Sequence, residues 1–414
     1  MKRKTAIIIT ILTAFLAMVG LLAWYFFLSP QTIKNDQGGI SKIISTFFPI
    51  GEQTTNNQQP TTTEAEKNNG EENLNENQPA PVIRKITSSA VAGFTIIEDK
   101  KDSSSVRYME SETGNVYNAP LAIISNTRLT NTTIPKVREA VFLPNGEQII
   151  ARYLDDDEIT IKSFSGKINL PKTGTGSTTE GELRGEFLRD DIVNIVATEE
   201  NKIFYTVVES NAISGILANS DGSKPTKVFS SIILEWLPQW IGKNSLYVNT
   251  KASSKSPGYI FKINTSNGDQ TKVIGRVFGL TSNFDPKNTE LVYNDSSLKL
   301  YSYKLKTEKV SELPLKTLAE KCAWETTSDI IIYCGIPDKT EPAEYPDDWY
   351  KGIISFKDDL WKMNLTTGEI TLITQFSQTT GGDIDIINPK ISKDGNYFVF
   401  TNKNDLSLWS VRVR

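Results

Sequence analysis

Tyr345-Pro-Asp-Asp-Trp-Tyr350 sets two carboxylates among three aromatic rings. Aromatic faces pack on sugar rings and apolar side chains, and Tyr and Trp dominate binding hot spots. Tyr345, Asp347, Asp348, Trp349 and Tyr350 are therefore candidate contacts for a glycan or a peptide. The competing expectation is a loop that folds back over its own sheet, with Trp349 filling a gap. A second concentration of oxygen ligands is Asp155-Asp-Asp-Glu158. Hard cations take such ligands, which makes Asp155 and Asp157 candidates. The run lacks the Gly and the spacing of a calcium loop, so a solvated turn is the simpler expectation and no metal site is assigned.

Histidine is absent from the 414 residues. That removes Ser-His-Asp and Cys-His nucleophile arrangements and every zinc or iron site built on imidazole. Two cysteines are too few for an all-cysteine zinc site. Thr173-Gly-Thr-Gly-Ser177 lacks the Lys and the strand-to-helix setting of a phosphate loop. No catalytic residue and no cofactor is expected. What histidine-free catalysis remains is carboxylate chemistry, for which Asp347 or Asp348 would need a partner carboxylate.

Cys322 and Cys334 lie in two β-rich stretches around Thr326-Thr-Ser-Asp329. Folding that hairpin brings the sulfurs opposite each other, and an oxidising compartment would let them bond. Two buried, inert thiols are the alternative.

The elements that position these groups begin with Ala6–Leu28, 23 residues without a charge behind Lys2-Arg-Lys4. About 20 apolar residues cross a bilayer as a helix, and the run exceeds the roughly 7–15 residues of a signal-peptide core. The basic cluster predicts a cytoplasmic N-terminus, residues 1–5, a membrane helix, 6–28, and an extracytoplasmic remainder of a single-pass cell-membrane protein. A juxtamembrane stretch, 29–50, follows. Residues 51–80, with six Glu, one Lys and a single large apolar residue, Leu74, cannot bury enough surface to order themselves and predict a flexible linker. Residues 81–414 carry a net charge of only −3, which argues against nucleic acid as a partner.

From residue 81 the chain reads as short strands between Gly, Asn, Asp and Pro. A unit recurs: an apolar strand end, a polar turn, then a hydrophobic strand. It starts from Phe142, Ala197, Trp240, Phe284, Trp324 and Ile391, and a divergent copy precedes at Ala90. Further strands follow most copies, as in Leu298–Tyr303 and Thr367–Ile373. Trp236, Trp240, Trp324, Trp361 and Trp409 lie in or beside strands and are expected to pack between sheets. Ser392-Lys-Asp-Gly-Asn-Tyr-Phe-Val-Phe400 with Leu408-Trp-Ser-Val411, and Phe284-Asp-Pro-Lys-Asn288 with Leu300-Tyr-Ser-Tyr303, resemble the TolB-like and WD-like β-propeller repeats. The resemblance covers 81–414 and implies an all-β propeller of seven blades, with six or eight as alternatives. It is nearly silent on function, and the His and Trp-Asp pairs of true WD repeats are missing.

The last copy ends at Arg414 after its third strand, while residues 82–87 form a strand with no blade of their own. That strand is expected to complete the last blade and close the ring, removing an open edge. Loops joining second to third strands share a face with the connections between blades. Gly335–Phe356 and Asp155–Glu158 both fall there. The leading expectation is a binding or scaffold module of the cell envelope, whose partner is an envelope protein or a wall glycan. The alternatives are a carboxylate-based glycoside hydrolase and an assembly factor of an envelope or secretion complex.

Overall fold

The computed structural model describes residues 78–99, 103–171, 180–325 and 330–414. Residue contacts divide the chain into Met1–Glu71 and Glu72–Arg414, and every described residue lies in the second unit. The segments expected to be a membrane helix (6–28), a juxtamembrane stretch (29–50) and nearly all of a linker (51–80) fall outside the described residues. So do residues 172–179, which contain Thr173–Ser177, and the Thr326–Asp329 turn. Among the described residues no helix is long and apolar enough to cross a membrane.

The described residues form seven four-stranded antiparallel sheets. In order these blades cover residues 91–128, 137–187, 192–231, 236–278, 281–316, 322–374 and 386–412. The protein is a seven-bladed β-propeller. First strands of successive blades lie against one another as an inner ring. Side-chain amides stitch that ring at nearly constant spacing: Asn194 to the Trp236 carbonyl at 3.0 Å, Gln239 to that of Ser282 at 3.3 Å, and Asn283 to that of Cys322 at 2.7 Å.

Closure follows the expected route. Ile83–Thr87 pairs antiparallel with Leu408–Arg412, placing Ile83 opposite Val411 and Lys85 opposite Trp409. Arg84, nearly buried, then carries the closing strand over to blade one, donating to the carbonyls of Pro120, Ile123 and Ser125. Pro79 bridges to Ile123. The chain therefore enters the ring beside the turn joining the third and fourth strands of blade one.

The recurring polar turn has one physical cause. It joins first to second strands with a residue in the left-handed region: Gly146 at φ 64°, Asn201 at 56°, Gly242 at 56°, Asn288 at 57° and Gly395 at 74°. Only Gly, and to a lesser degree Asn, adopts that conformation cheaply, and these two types fill all five places. Inner strands also crowd at Gly93, where a Cβ would stand 2.0 Å from the Ala140 carbonyl oxygen.

Between blades the core is aliphatic and aromatic. Trp236 and Trp324 are buried, and Trp240 and Trp409 are half-buried against neighbouring clusters. In blade six Cys322 stands directly opposite Cys334, and the two are bonded.

Candidate functional site

Strands alternate direction, so the loops between second and third strands and the connections between blades lie at one end of the ring, here the upper face. Residues 338–357 of blade six cross that face as a strap. It carries a single helical turn, Asp347–Tyr350, after a cis Tyr345–Pro346 bond.

The strap is tied down at both ends. Asp347 accepts from the Ser254 amide at 2.5 Å and the Ser253 hydroxyl at 3.1 Å, in the second-to-third loop of blade four. Lys255 pairs with Glu344 at 2.8 Å. Burial pushes the Asp347 carboxyl up, but the bonds from Ser254 and Ser253 outweigh it and hold it below its ordinary value. Tyr345, Trp349 and Phe356 pack with Leu298 and Leu318 of blade five. Toward blade seven, Ser355 donates to Asp385 at 2.9 Å.

Beneath the strap lies a buried charge cluster. Lys321, fully buried, reaches Asp358 at 2.7 Å and also pairs with Asp385. Asp385 accepts three further bonds, from the Trp349 indole at 2.8 Å, the Ser355 hydroxyl and the Phe356 amide at 3.0 Å. The Lys321 ammonium sits 5.0 Å from the Trp349 ring centre and 4.9 Å from that of Phe356. One cation between two carboxylates leaves an excess negative charge. Burial pushes Asp358 up to about 6 against the pull of Lys321, and its Oδ1 has no partner. With no solvent path to the ammonium, this cluster positions the strap and offers nothing to a ligand.

The inner ring of first strands encloses an axial channel, and its upper mouth, beside the starts of the inner strands of blades three and four, is different. Tyr350 turns away from the strap core, keeps 39% of its surface open, and donates its hydroxyl to Glu320 at 2.9 Å. Glu320 stands just before the inner strand of blade six. Burial pushes its carboxyl up to about 7, against the lowering effects of the Tyr350 bond and the Lys321 charge. Its Oε1 is buried and unpartnered. Burial and the Glu320 charge both raise Tyr350 well above its ordinary value, and the open edge of the ring lets solvent moderate that rise. Near neutrality Glu320 exchanges its proton while Tyr350 keeps its own. The pair separates two clefts. One, of about 390 Å³, is lined by Val193, Asn194, Glu235, Trp236, Leu237 and Lys251. The other, of about 290 Å³, is lined by Trp349, Ile387, Asn388 and Lys403.

Of the residues singled out in the sequence, Tyr345 and Trp349 are buried, and Asp347 is held by blade four. Asp348 is held within the strap by the Glu344 amide at 2.9 Å. Tyr350 alone of that motif meets the open mouth. Asp155 and Asp157 sit on blade two, away from the strap. Asp155 pairs with Lys162 at 3.1 Å. Asp157 folds its own turn, accepting from the Ile159 amide at 2.9 Å and the Thr160 amide at 2.8 Å. The Thr160 hydroxyl and these amides hold its carboxyl down to about 2. Among the described residues no three His, Cys, Asp or Glu side chains converge as metal ligands would. Glu320, Lys321, Asp358 and Asp385 were not legible as a group; a Glu-Lys pair at the threshold of an apolar strand was the one local sign.

Several solved structures share the architecture. An oligogalacturonate lyase in complex with manganese matches with a TM-score of 0.49 at 11% identity, covering 78% of this chain and 97% of that one. The β-propeller domain of Myceliophteria thermophila Cps50 matches with a TM-score of 0.48 at 9% identity, covering 80% and 100%. The oligogalacturonate lyase of Vibrio parahaemolyticus gives 0.46 at 10% identity, covering 78% and 97%. Similarity of this degree carries no functional argument. Neither a scan of protein-family models nor a comparison with curated proteins returns a match.

Proposed function

We propose that the propeller is a binding module that engages a protein of the cell envelope through its upper face. The observation that carries this is the strap. It braces the upper loops of blades four to seven into one platform, using residues that would otherwise be the candidates for chemistry. Large apolar side chains stand exposed on the same face, among them Ile159, Phe187, Ile232 and Ile353. They are spread over blade two, the connection from blade three to blade four and blade six, and each offers an apolar contact to a partner that covers the face. The uncharged run Ala6–Leu28 supports membrane anchoring with the propeller outside, and the Cys322–Cys334 bond agrees with an oxidising compartment.

A photo-reactive residue placed at Ile353 on the upper face, and separately at Leu170 on the lower, tests this in intact cells. A defined protein adduct from the upper position supports the proposal. Adducts from the lower position alone, or from neither, overturn it.

One observation favours a second reading. Glu320, poised near neutrality, and Glu235 line the same cleft, and a carboxylic acid with a carboxylate is the equipment of a glycoside hydrolase. Incubation with envelope polysaccharides decides it: release of new reducing ends by the wild type and not by Glu320→Gln would make the protein an enzyme.

A further inference from the structure

The connection from blade three to blade four leaves Ile232, Ile233 and Leu234 exposed at 87%, 44% and 43%. Three consecutive exposed branched apolar residues are unfavourable in a free surface loop. They do not stand alone. Val208 closes the upper end of the second strand of blade three, and Val193 and Leu237 begin the inner strands of blades three and four; all three are also exposed. Topology sets these side chains at one sector of the upper rim. The connector runs directly into the cleft that holds Glu235, Glu320 and Tyr350.

The charges of that sector are uneven. Arg189 is held by Asp191, Lys251 by Glu235 at 3.1 Å and Arg152 by Glu139 at 2.7 Å, while Lys403 stands in the cleft on the far side of Tyr350. Asp190 adds a further carboxylate. At the inner end of the apolar strip Glu320 lies beside the Tyr350 ring, its Oε2 bonded to the Tyr350 hydroxyl and its Oε1 buried without a partner. A carboxylate next to an open aromatic ring suits a lysine or arginine head group, which gains a charge-assisted bond and a cation–π contact together.

Resting on the binding-module reading, we infer that this rim docks a basic, apolar-sided peptide segment of a partner protein. Its apolar residues cover Ile232, Ile233, Leu234 and Leu237, and one cationic side chain enters the mouth to reach Glu320 over Tyr350. A second copy of this chain fits poorly, because a two-fold contact would set the same acidic rim against itself. An anionic lipid surface or acidic polysaccharide meets like charge at the same place.

The test uses the full-length chain and a short synthetic peptide alternating Leu and Lys, with Leu–Glu and Ser–Lys peptides as controls, followed by fluorescence anisotropy. The Leu–Lys peptide should bind, and both controls should bind far more weakly. Glu320→Gln should weaken Leu–Lys binding about tenfold, and Ile233→Asp about thirtyfold or more. Leu170→Asp, on the lower face, should leave it unchanged. Binding indifferent to Glu320→Gln and Ile233→Asp overturns the assignment. So does self-association that Ile233→Asp abolishes, or loss of phosphatidylcholine–phosphatidylglycerol vesicle binding in that variant. If upper-face adducts persist in cells with Ile233→Asp, the binding module stands and this site falls. If no face gives adducts, the broader reading falls instead.

Discussion

Asp347 of blade six reaches the backbone amide of Ser254 in blade four, 2.5 Å away, so the strap passes above the whole of blade five. Contacts of this kind between non-adjacent blades are not required by the ring, and they make the upper loops move together. Asp347→Ala should cost about 1–2 kcal/mol. Hydrogen exchange should quicken at Ser254 and along 338–357 while the inner strands stay protected. Unchanged exchange at Ser254 would show that the bond does not hold the strap.

Lys321 is the only cation facing Asp358 and Asp385 among the described ion pairs. Lys321→Met would strand two carboxylates in the interior and should cost about 3–5 kcal/mol. Joining it to Asp385→Asn should recover part of that loss, because removing charge on both sides costs less than removing one. Chemical denaturation of the two variants reads this directly. Simple additivity would mean that the groups do not act as a unit.

Glu320 has its carboxyl raised from 4.5 to about 7, mainly by burial. The native state therefore holds that proton more tightly than the unfolded chain. Its contribution to stability is fully present below pH 4.5 and is lost as pH rises through about 7. Glu320→Gln should flatten the stability profile across this window and gain on the order of 1–3 kcal/mol at pH 8. Asp358, raised to about 6, acts in the same direction, so some slope should survive in the variant. A variant whose profile tracks the wild type throughout would remove Glu320 from the account.

The Cys322–Cys334 bond closes a loop with a sequence separation of 12. Replacing both residues by Ala should cost about 3 kcal/mol, and reductant should lower the melting temperature of the wild type but not of the double variant. Because Lys321 directly precedes Cys322, the loss should also loosen the strap, visible as faster proteolysis within 338–357.

Ring closure depends on Ile83–Thr87. A chain starting at Gln78 should unfold in one cooperative transition. One starting at Ala90 leaves Leu408–Arg412 without its outer partner and should aggregate or melt broadly. Sedimentation and calorimetry separate these outcomes, and a cooperative, monomeric short chain would refute the closing role.

The architecture was legible because its signals are local. Alternating apolar strands recur in each blade, a Gly or Asn stands at one fixed turn position in five of them, and the partnerless strand at 82–87 matched the blade that ran short. The site was not legible, for a physical reason. Lys321 and Asp385 are 64 positions apart, and each alone looks like an ordinary surface charge. Only the closed ring carries them to one point. The aromatic motif was visible, but sequence cannot say which way a ring turns. Trp349 and Tyr350 are neighbours, yet one is buried over an ammonium and the other faces the channel.

The closing strand also sets an order of events during synthesis. The ribosome delivers Ile83 long before Leu408, so the first strand made must wait for the last. Until then the seventh blade has no outer border and the nascent chain carries two unsatisfied margins. Contacts spanning nearly the entire length of a domain form slowly. Acquisition of the finished ring thus waits on its last blade, with a vulnerable interval in which protection from neighbouring chains matters most.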